Sequence, residues 1–179
     1  QTVFEYMSNL DEELIRRAIE ILGDIHPILR SRIYFDVSVS EYPVQIIRKE
    51  NTIPVNSVVC GNEEWEWILK KDIEDGFELE NSPLIRFTLA KVGDSNRVIW
   101  TMHHIICDGW SNSILFADLR NIIRQLCEDA NSTGALLNPV NKDVFMEYAS
   151  ELDNFDRNTA RSFWKNLLED YAGLTQLSV

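Results

Sequence analysis

Met102-His103-His104-Ile105-Ile106-Cys107-Asp108-Gly109-Trp110-Ser111 reads as the end of a buried strand that breaks into a short loop and then starts a helix. Upstream, the apolar runs Leu84 to Val92 and Arg97 to His103 flank a turn at Gly93-Asp94-Ser95-Asn96 and predict a β-hairpin. Downstream, Ser111 is expected to cap a helix that buries Leu115, Leu119, Ile122, Ile123 and Leu126. Histidine, aspartate and glycine therefore gather where a strand hands over to a helix, a position where folds of this kind place their chemistry.

Further outward, Thr2 to Met7 suits a strand. Asn9 or Asp11 is expected to cap a helix with Leu14, Ile15, Ala18, Ile19 and Leu22 on one face and Gly23 as its stop. His26-Pro27 is a turn, and Arg32 to Val39 alternates as a half-buried strand. Val44 to Ile47 and Val55 to Val59 are shorter strands, and Asn62 is expected to cap a helix through Trp65, Ile68, Leu69 and Ile73. Asn131 to Gly134 breaks the helix that follows the motif, and Asp143 to Leu152 and Asp156 to Tyr171 read as two more, the second carrying Phe163, Trp164, Leu167 and Leu168. Trp65, Trp67, Trp100 and Trp164 are read as core residues. Strands and helices mix without regular alternation, which predicts an α/β fold with a mixed central sheet packed by helices rather than a doubly wound parallel sheet.

The 179 residues suffice for one full core, with 45% hydrophobic and 26% charged residues. A net charge of −12 excludes the basic surface that nucleic acid or anionic membrane requires. Cys60, Cys107 and Cys127 are odd in number and widely spaced, which fits free thiols in a reducing, cytoplasmic setting. No signal-peptide pattern opens the chain, and its first residues already read as a strand, so it is expected to begin inside a domain.

Adjacent strand residues face opposite ways, so His103 and His104 cannot share one cavity while the strand lasts. One should turn inward and one toward a cleft. The same alternation argues against a metal held by both histidines and Asp108, and no spaced Cys or His ligands support one. A cleft-facing histidine can take a proton from an attacking group or hydrogen-bond a developing charge. Asp108 can orient an imidazole, accept backbone N–H groups or pair with an arginine, and Gly109 permits a backbone shape or approach that a Cβ would block. Cys107, between apolar neighbours, reads as a small buried residue rather than a nucleophile. Gly-x-Ser-x-Gly and Gly-x-Gly-x-x-Gly strings and a phosphate loop are absent from the sequence.

The His-His-x-x-x-Asp-Gly string resembles the core signature of the condensation domains of nonribosomal peptide synthetases, in the chloramphenicol-acetyltransferase-like acyltransferase superfamily. His26 to Arg32 resembles the family's Arg-His-Glu-x-Leu-Arg-Thr-x-Phe motif, with Ile25 and Pro27 in place of Arg and Glu. Phe77 to Arg86 matches the segment leading into the hairpin. Phe145 to Glu151 resembles a later Tyr-x-Asp-Phe-Ala-x-Trp motif, with Glu151 where Trp is usual, and Ala160 to Leu168 fits the helix beyond it.

The resemblance implies amide formation between two acyl groups held as phosphopantetheine thioesters on carrier proteins, with no cofactor bound directly. It places His104 at the reaction centre, as general base or as a group that holds the amine and stabilises the tetrahedral intermediate. Asp108 would be mainly structural and pair with Arg30. Gly109 would leave room for the pantetheine arm, its N–H helping with the oxyanion. His103 would face the core and Ser111 would support the site. The family's first motif and C-terminal half are missing, so residues 1–179 are expected to form the N-terminal of two lobes and to be inactive alone. Expected partners are donor and acceptor carrier domains, the missing lobe and a neighbouring adenylation domain. Arg16, Arg17 and Arg30 to Arg32 are candidates for docking acidic carriers. Asp-Gly-Trp-Ser differs from the Asp-Gly-Val-Ser-Trp usual in epimerisation domains. Free-standing acyltransferases remain a related alternative, and a non-catalytic docking module is the rival of a different class, disfavoured by the intact His104.

Overall fold

The computed structural model describes residues 1–6, 11–36, 38, 40–81, 83–129, 142–171 and 173, with the backbone alone for 142–146. It divides into two units, Gln1–Val140 and Asn141–Val179. The first holds strand β1 (Thr2–Tyr6), helix α1 (Glu12–Ile25), a 3-10 turn (Pro27–Arg30), β2 (Ser31–Tyr34), β3 (Val44–Ile47), β4 (Val55–Cys60), α2 (Asn62–Glu74), β5 (Ile85–Val92), β6 (Ser95–Met102) and α3 (Gly109–Glu128). Four strands form one sheet in the order β1-β6-β5-β4; β4 runs parallel to β5 and the other neighbours are antiparallel. The sheet is thus mixed, as the irregular order of elements in the sequence predicts. A separate antiparallel pair joins β2 to β3.

Alternation along β5 and β6 gives the sheet two distinct faces. Phe87, Leu89, Val98 and Trp100 join Ile15, Ala18, Ile19 and Leu22 of α1 and Leu115, Leu119, Ile122 and Leu126 of α3 in the larger core. Trp100 sits within 5.0 Å of Phe87 and 5.8 Å of Phe116, ring centre to ring centre. On the other face Ala90, Val92 and Ile99 pack with Cys60 and with Trp65 of α2. Each fully buried Leu, Ile or Phe contributes about 1.5–3 kcal/mol.

The hairpin turns tightly. Val92 pairs with Ser95, so the loop is Gly93-Asp94 alone, and Gly93 takes φ +59° where a side chain would be strained. The strand resumes at Ser95, two residues earlier than the sequence suggests. Asp11 caps α1 by accepting from the Glu13 N–H at 3.4 Å. Met7 and Asn9 lie outside the described residues, as do Val37, Val39 and Asn131 to Gly134.

Gly23 is not the stop of α1, which runs on to Ile25. It is there for packing: a Cβ would stand 2.7 Å from Ile53 Cδ1 and closer still to Asn51, whose side chain donates to Glu20 O at 2.6 Å. His26 then caps the helix through its backbone and, nearly buried, places Nε2 2.8 Å from Asp118 Oδ2 of α3. Strand β2 ends at Tyr34, short of the expected Arg32 to Val39 run, and Phe35 is exposed. Gly61, not Asn62, is the N-cap of α2. Ile73, expected in its apolar stripe, is 61% exposed, and Trp67 is exposed too. The position facing the sheet one turn after Ile68 and Leu69 is taken by Asp72, which reaches Thr101 and Arg86.

The second unit holds α4 (Lys142–Asp153) and α5 (Arg157–Leu167). Asp156 caps α5, accepting from the N–H groups of Asn158 and Thr159 at 2.9 and 3.2 Å. The helix stops at Leu167 rather than Tyr171, and Phe163, Trp164, Leu167 and Leu168 are exposed, not core as the sequence suggests.

Candidate functional site

Strand β6 ends at Met102, so both histidines lie in the turn that follows it, and the expected division between them survives in their burial. The His103 N–H still donates to Leu84 O at 2.8 Å, extending the ladder by one bond. His103 is half-buried, with its ring edge-on to Phe77 at 6.2 Å and 83°. His104 is exposed. The loop is folded by two local bonds: the Ile105 N–H donates to His103 Nδ1 at 3.1 Å, and the Ile106 N–H to His103 O at 3.2 Å. Nδ1 accepts, so the neutral ring carries its proton on Nε2. Ile106 and Cys107 then plunge into the core. Burial, the largest influence, raises the Cys107 thiol above its ordinary value, which fits a packing residue rather than a nucleophile.

Asp108 is the N-cap of α3, and Ser111, expected to cap, instead satisfies it. Asp108 Oδ1 accepts from the Ser111 N–H at 2.8 Å and from its hydroxyl at 2.7 Å. These bonds from Ser111, with a smaller one from the Trp110 N–H, hold the carboxyl below the usual carboxylate range. A carboxylate outranks a hydroxyl here because it also complements the positive end of the helix. Gly109 opens the helix without a left-handed φ, and a Cβ there would meet nothing within 4 Å. Whatever room Gly109 leaves is therefore open space among the described residues.

The expected Arg30–Asp108 pair is absent from the ion pairs of the described residues. Arg30 Nη1 instead donates to the carbonyls of Arg48 and Lys49, both at 2.9 Å, while its buried Nε has no partner among the described residues. Arg30 thus secures the start of β2, and Asp108 is already engaged by Ser111. Arg16 is likewise committed, to Glu12, to Val55 O at 2.6 Å and to Ser57, and Arg17 meets Glu20 at 2.6 Å. These bonds tie α1 to β4 and to itself.

A cluster that sequence reading missed lies behind His103. Arg86 Nε donates to Asp72 Oδ1 at 2.7 Å, and its guanidinium lies 4.4 Å from the Phe77 ring centre. The legible signal was Arg86 itself, a charge set between the buried Ile85 and Phe87 near the start of its strand. Among the described residues, no group of three His, Cys, Asp or Glu side chains could hold a metal ion, and no helix is long and apolar enough to cross a membrane.

Residues 1–178 match the family model of the condensation domain. The chain belongs to the condensation-domain family. It is 27% identical to bacitracin synthase 1 of Bacillus licheniformis over 99% of its own length, and 27% identical to tyrocidine synthase 2 of Brevibacillus parabrevis, again over 99%. It spans only 3% and 5% of those two relatives. Among solved structures, the epimerization domain from the third module of tyrocidine synthetase B superposes with a TM-score of 0.78 at 23% identity, covering 98% of this chain and 40% of that one. The starter condensation domain of the rhizomide synthetase gives 0.71 at 14%, covering 96% and 42%. The fold is accordingly the chloramphenicol-acetyltransferase-like fold of condensation domains, and the chain accounts for about two fifths of the solved domains. At these identities the likeness to an epimerization domain speaks for the fold alone.

Proposed function

We propose that this chain is the N-terminal lobe of a peptide-bond-forming condensation domain and that His104 is its reaction-centre residue. The observation that carries the reading is the split of the paired histidines: His103 half-buried and bonded to its own loop, His104 exposed two residues before the loop descends into the core at Ile106. The α-amine of a carrier-bound acceptor attacks the carbonyl carbon of a carrier-bound donor thioester. The C–N bond forms and a base takes the amine proton. The C–S bond breaks with the pantetheine sulfur leaving as thiolate, and the base returns the proton to that sulfur to give the free thiol. The exposed imidazole of His104 has the chemistry to hold the amine and take its proton. Asp108 shapes the loop by capping α3, Ser111 locks the cap, and the free space above Gly109 suits the pantetheine arm of the substrate.

The partners this reading calls for are the donor and acceptor carrier domains, the second lobe and an adenylation domain, in the cytoplasm. The lobe alone should yield no amide, since the solved domains it matches are about two and a half times its length. The test is amide formation from loaded carriers by the parent polypeptide, wild type against His104→Ala. A loss of about 100-fold or more supports the reading. Undiminished turnover overturns it and leaves a docking role.

A further inference from the structure

We propose that Arg86, held by Asp72, is a positioning residue for the His103–His104 loop and acts through the Phe77 ring, an inference that rests on the reading of His104 above. Arg86 and Thr101 are cross-strand partners on the α2 face of the sheet. Arg86 is clamped three ways. Nε donates to Asp72 Oδ1 at 2.7 Å, Nη2 donates to the Asp72 carbonyl, and Nη1 donates to Gly76 O at 2.5 Å. Gly76 offers that carbonyl because it ends α2 in the left-handed region, at φ +54°. Asp72 Oδ2 accepts in addition from the Thr101 hydroxyl at 2.5 Å and the Gln1 amide at 2.6 Å. Burial pushes the Asp72 carboxyl up, but the bonds from Arg86, Thr101 and Gln1 outweigh it and keep the group anionic.

The guanidinium fixed in this way lies over Phe77, and the same ring meets the His103 ring in a T-shaped contact. His103 in turn shapes the loop through its Nδ1 and its carbonyl. A fixed charge is therefore connected to the histidine loop through one aromatic ring. Stability alone does not call for this design. Apolar side chains of similar volume fill such a site as well or better than a buried ion pair, and Trp65, Ala90, Val92 and Ile99 pack as an apolar group on this same face. A second charge on this face, Arg97 over the Trp65 ring, pairs with Glu5 at the other end, so the Arg86 cluster is the one next to the histidines.

The experiment uses two variants that break the connection at different points, Arg86→Met and Phe77→Leu, with Arg86→Lys as the conservative control. In the 179-residue chain labelled with ¹⁵N-histidine, wild-type His103 shows one tautomer, protonated at Nε2. Both variants populate the second tautomer and Arg86→Lys largely restores the first. In the parent polypeptide both variants lower kcat for amide formation about 10- to 100-fold at unchanged KM for the donor carrier. A single unaltered tautomer with wild-type kcat would overturn the proposal, and so would a tautomer change without loss of kcat. Failure of the reading beneath it shows separately, as wild-type turnover by His104→Ala, because the tautomer measurement needs no turnover.

Discussion

Between β5 and β6 the pairs Ile85–Met102, Phe87–Trp100 and Leu89–Val98 serve the α1/α3 side, while Arg86–Thr101 and the residues around Ala90 and Ile99 serve the α2 side. The first side is apolar from the Ile85–Met102 pair through Leu89–Val98 and holds the lobe together. The second gathers apolar residues around Trp65, with Arg97 laid over that ring. Toward the histidines it becomes an ionic cluster of Asp72, Arg86 and Thr101. The difference teaches that one sheet can carry two obligations: uniform packing where the fold is secured, and oriented polar groups where a loop must be aimed. Packing is non-directional, whereas a clamped guanidinium fixes a direction.

The largest expected effect breaks the apolar side. Phe87→Ala removes a fully buried ring and should cost about 3–5 kcal/mol in denaturant unfolding, with turnover per folded molecule unchanged. On the polar side, Asp72→Ala leaves the Arg86 charge uncompensated and should cost about 3 kcal/mol. It also alters the acid limb. A carboxyl whose folded value is lowered stabilises fully above its unfolded value, about pH 4, and that contribution is lost as pH falls below it. Unfolding measured between about pH 7 and 3 should therefore show a shallower fall for Asp72→Ala than for wild type. The double variant Asp72→Leu with Arg86→Met converts the polar end to the rule of the other side. Stability should return to within about 1 kcal/mol of wild type, while amide formation stays low. Recovery of both would erase the distinction between the two sides. Gly23→Ala, which crowds Asn51 and Ile53 against α1, should cost about 1–3 kcal/mol without touching the polar cluster. The smallest shift in melting temperature belongs to Asp108→Asn, which keeps an acceptor at the N-cap of α3; Asp108→Ala should shift it further.

The regular parts of the fold were legible in the sequence because periodicity reports burial directly. Val44 to Ile47 appears as a strand with the expected bounds, and the hairpin before the histidines is displaced by only one or two residues. Periodicity misled where a polar group occupies a buried position. In α2, Ile73 was the obvious choice for the sheet-facing stripe, yet Asp72 fills it because Arg86 and Thr101 wait on the sheet to receive its charge. That partnership spans 14 and 29 residues and leaves no local trace. Ser111 misled for a nearer reason: two capping residues lie three positions apart, and the one that accepts from the other became the cap. The unequal burial of His103 and His104 was readable from neighbour alternation, although the strand has already ended when they occur. The apolar residues of α5 were assigned to a core from their spacing, but spacing cannot say whether the covering surface belongs to these 179 residues.

The central claim is that the exposed His104 is the reacting histidine of this domain. Single-turnover amide formation between a loaded donor carrier and a loaded acceptor carrier, in the parent polypeptide with and without His104→Ala, tests it most directly. The account predicts that carrier binding is retained while the single-turnover rate falls about 100-fold or more. Equal rates in the two proteins would contradict it.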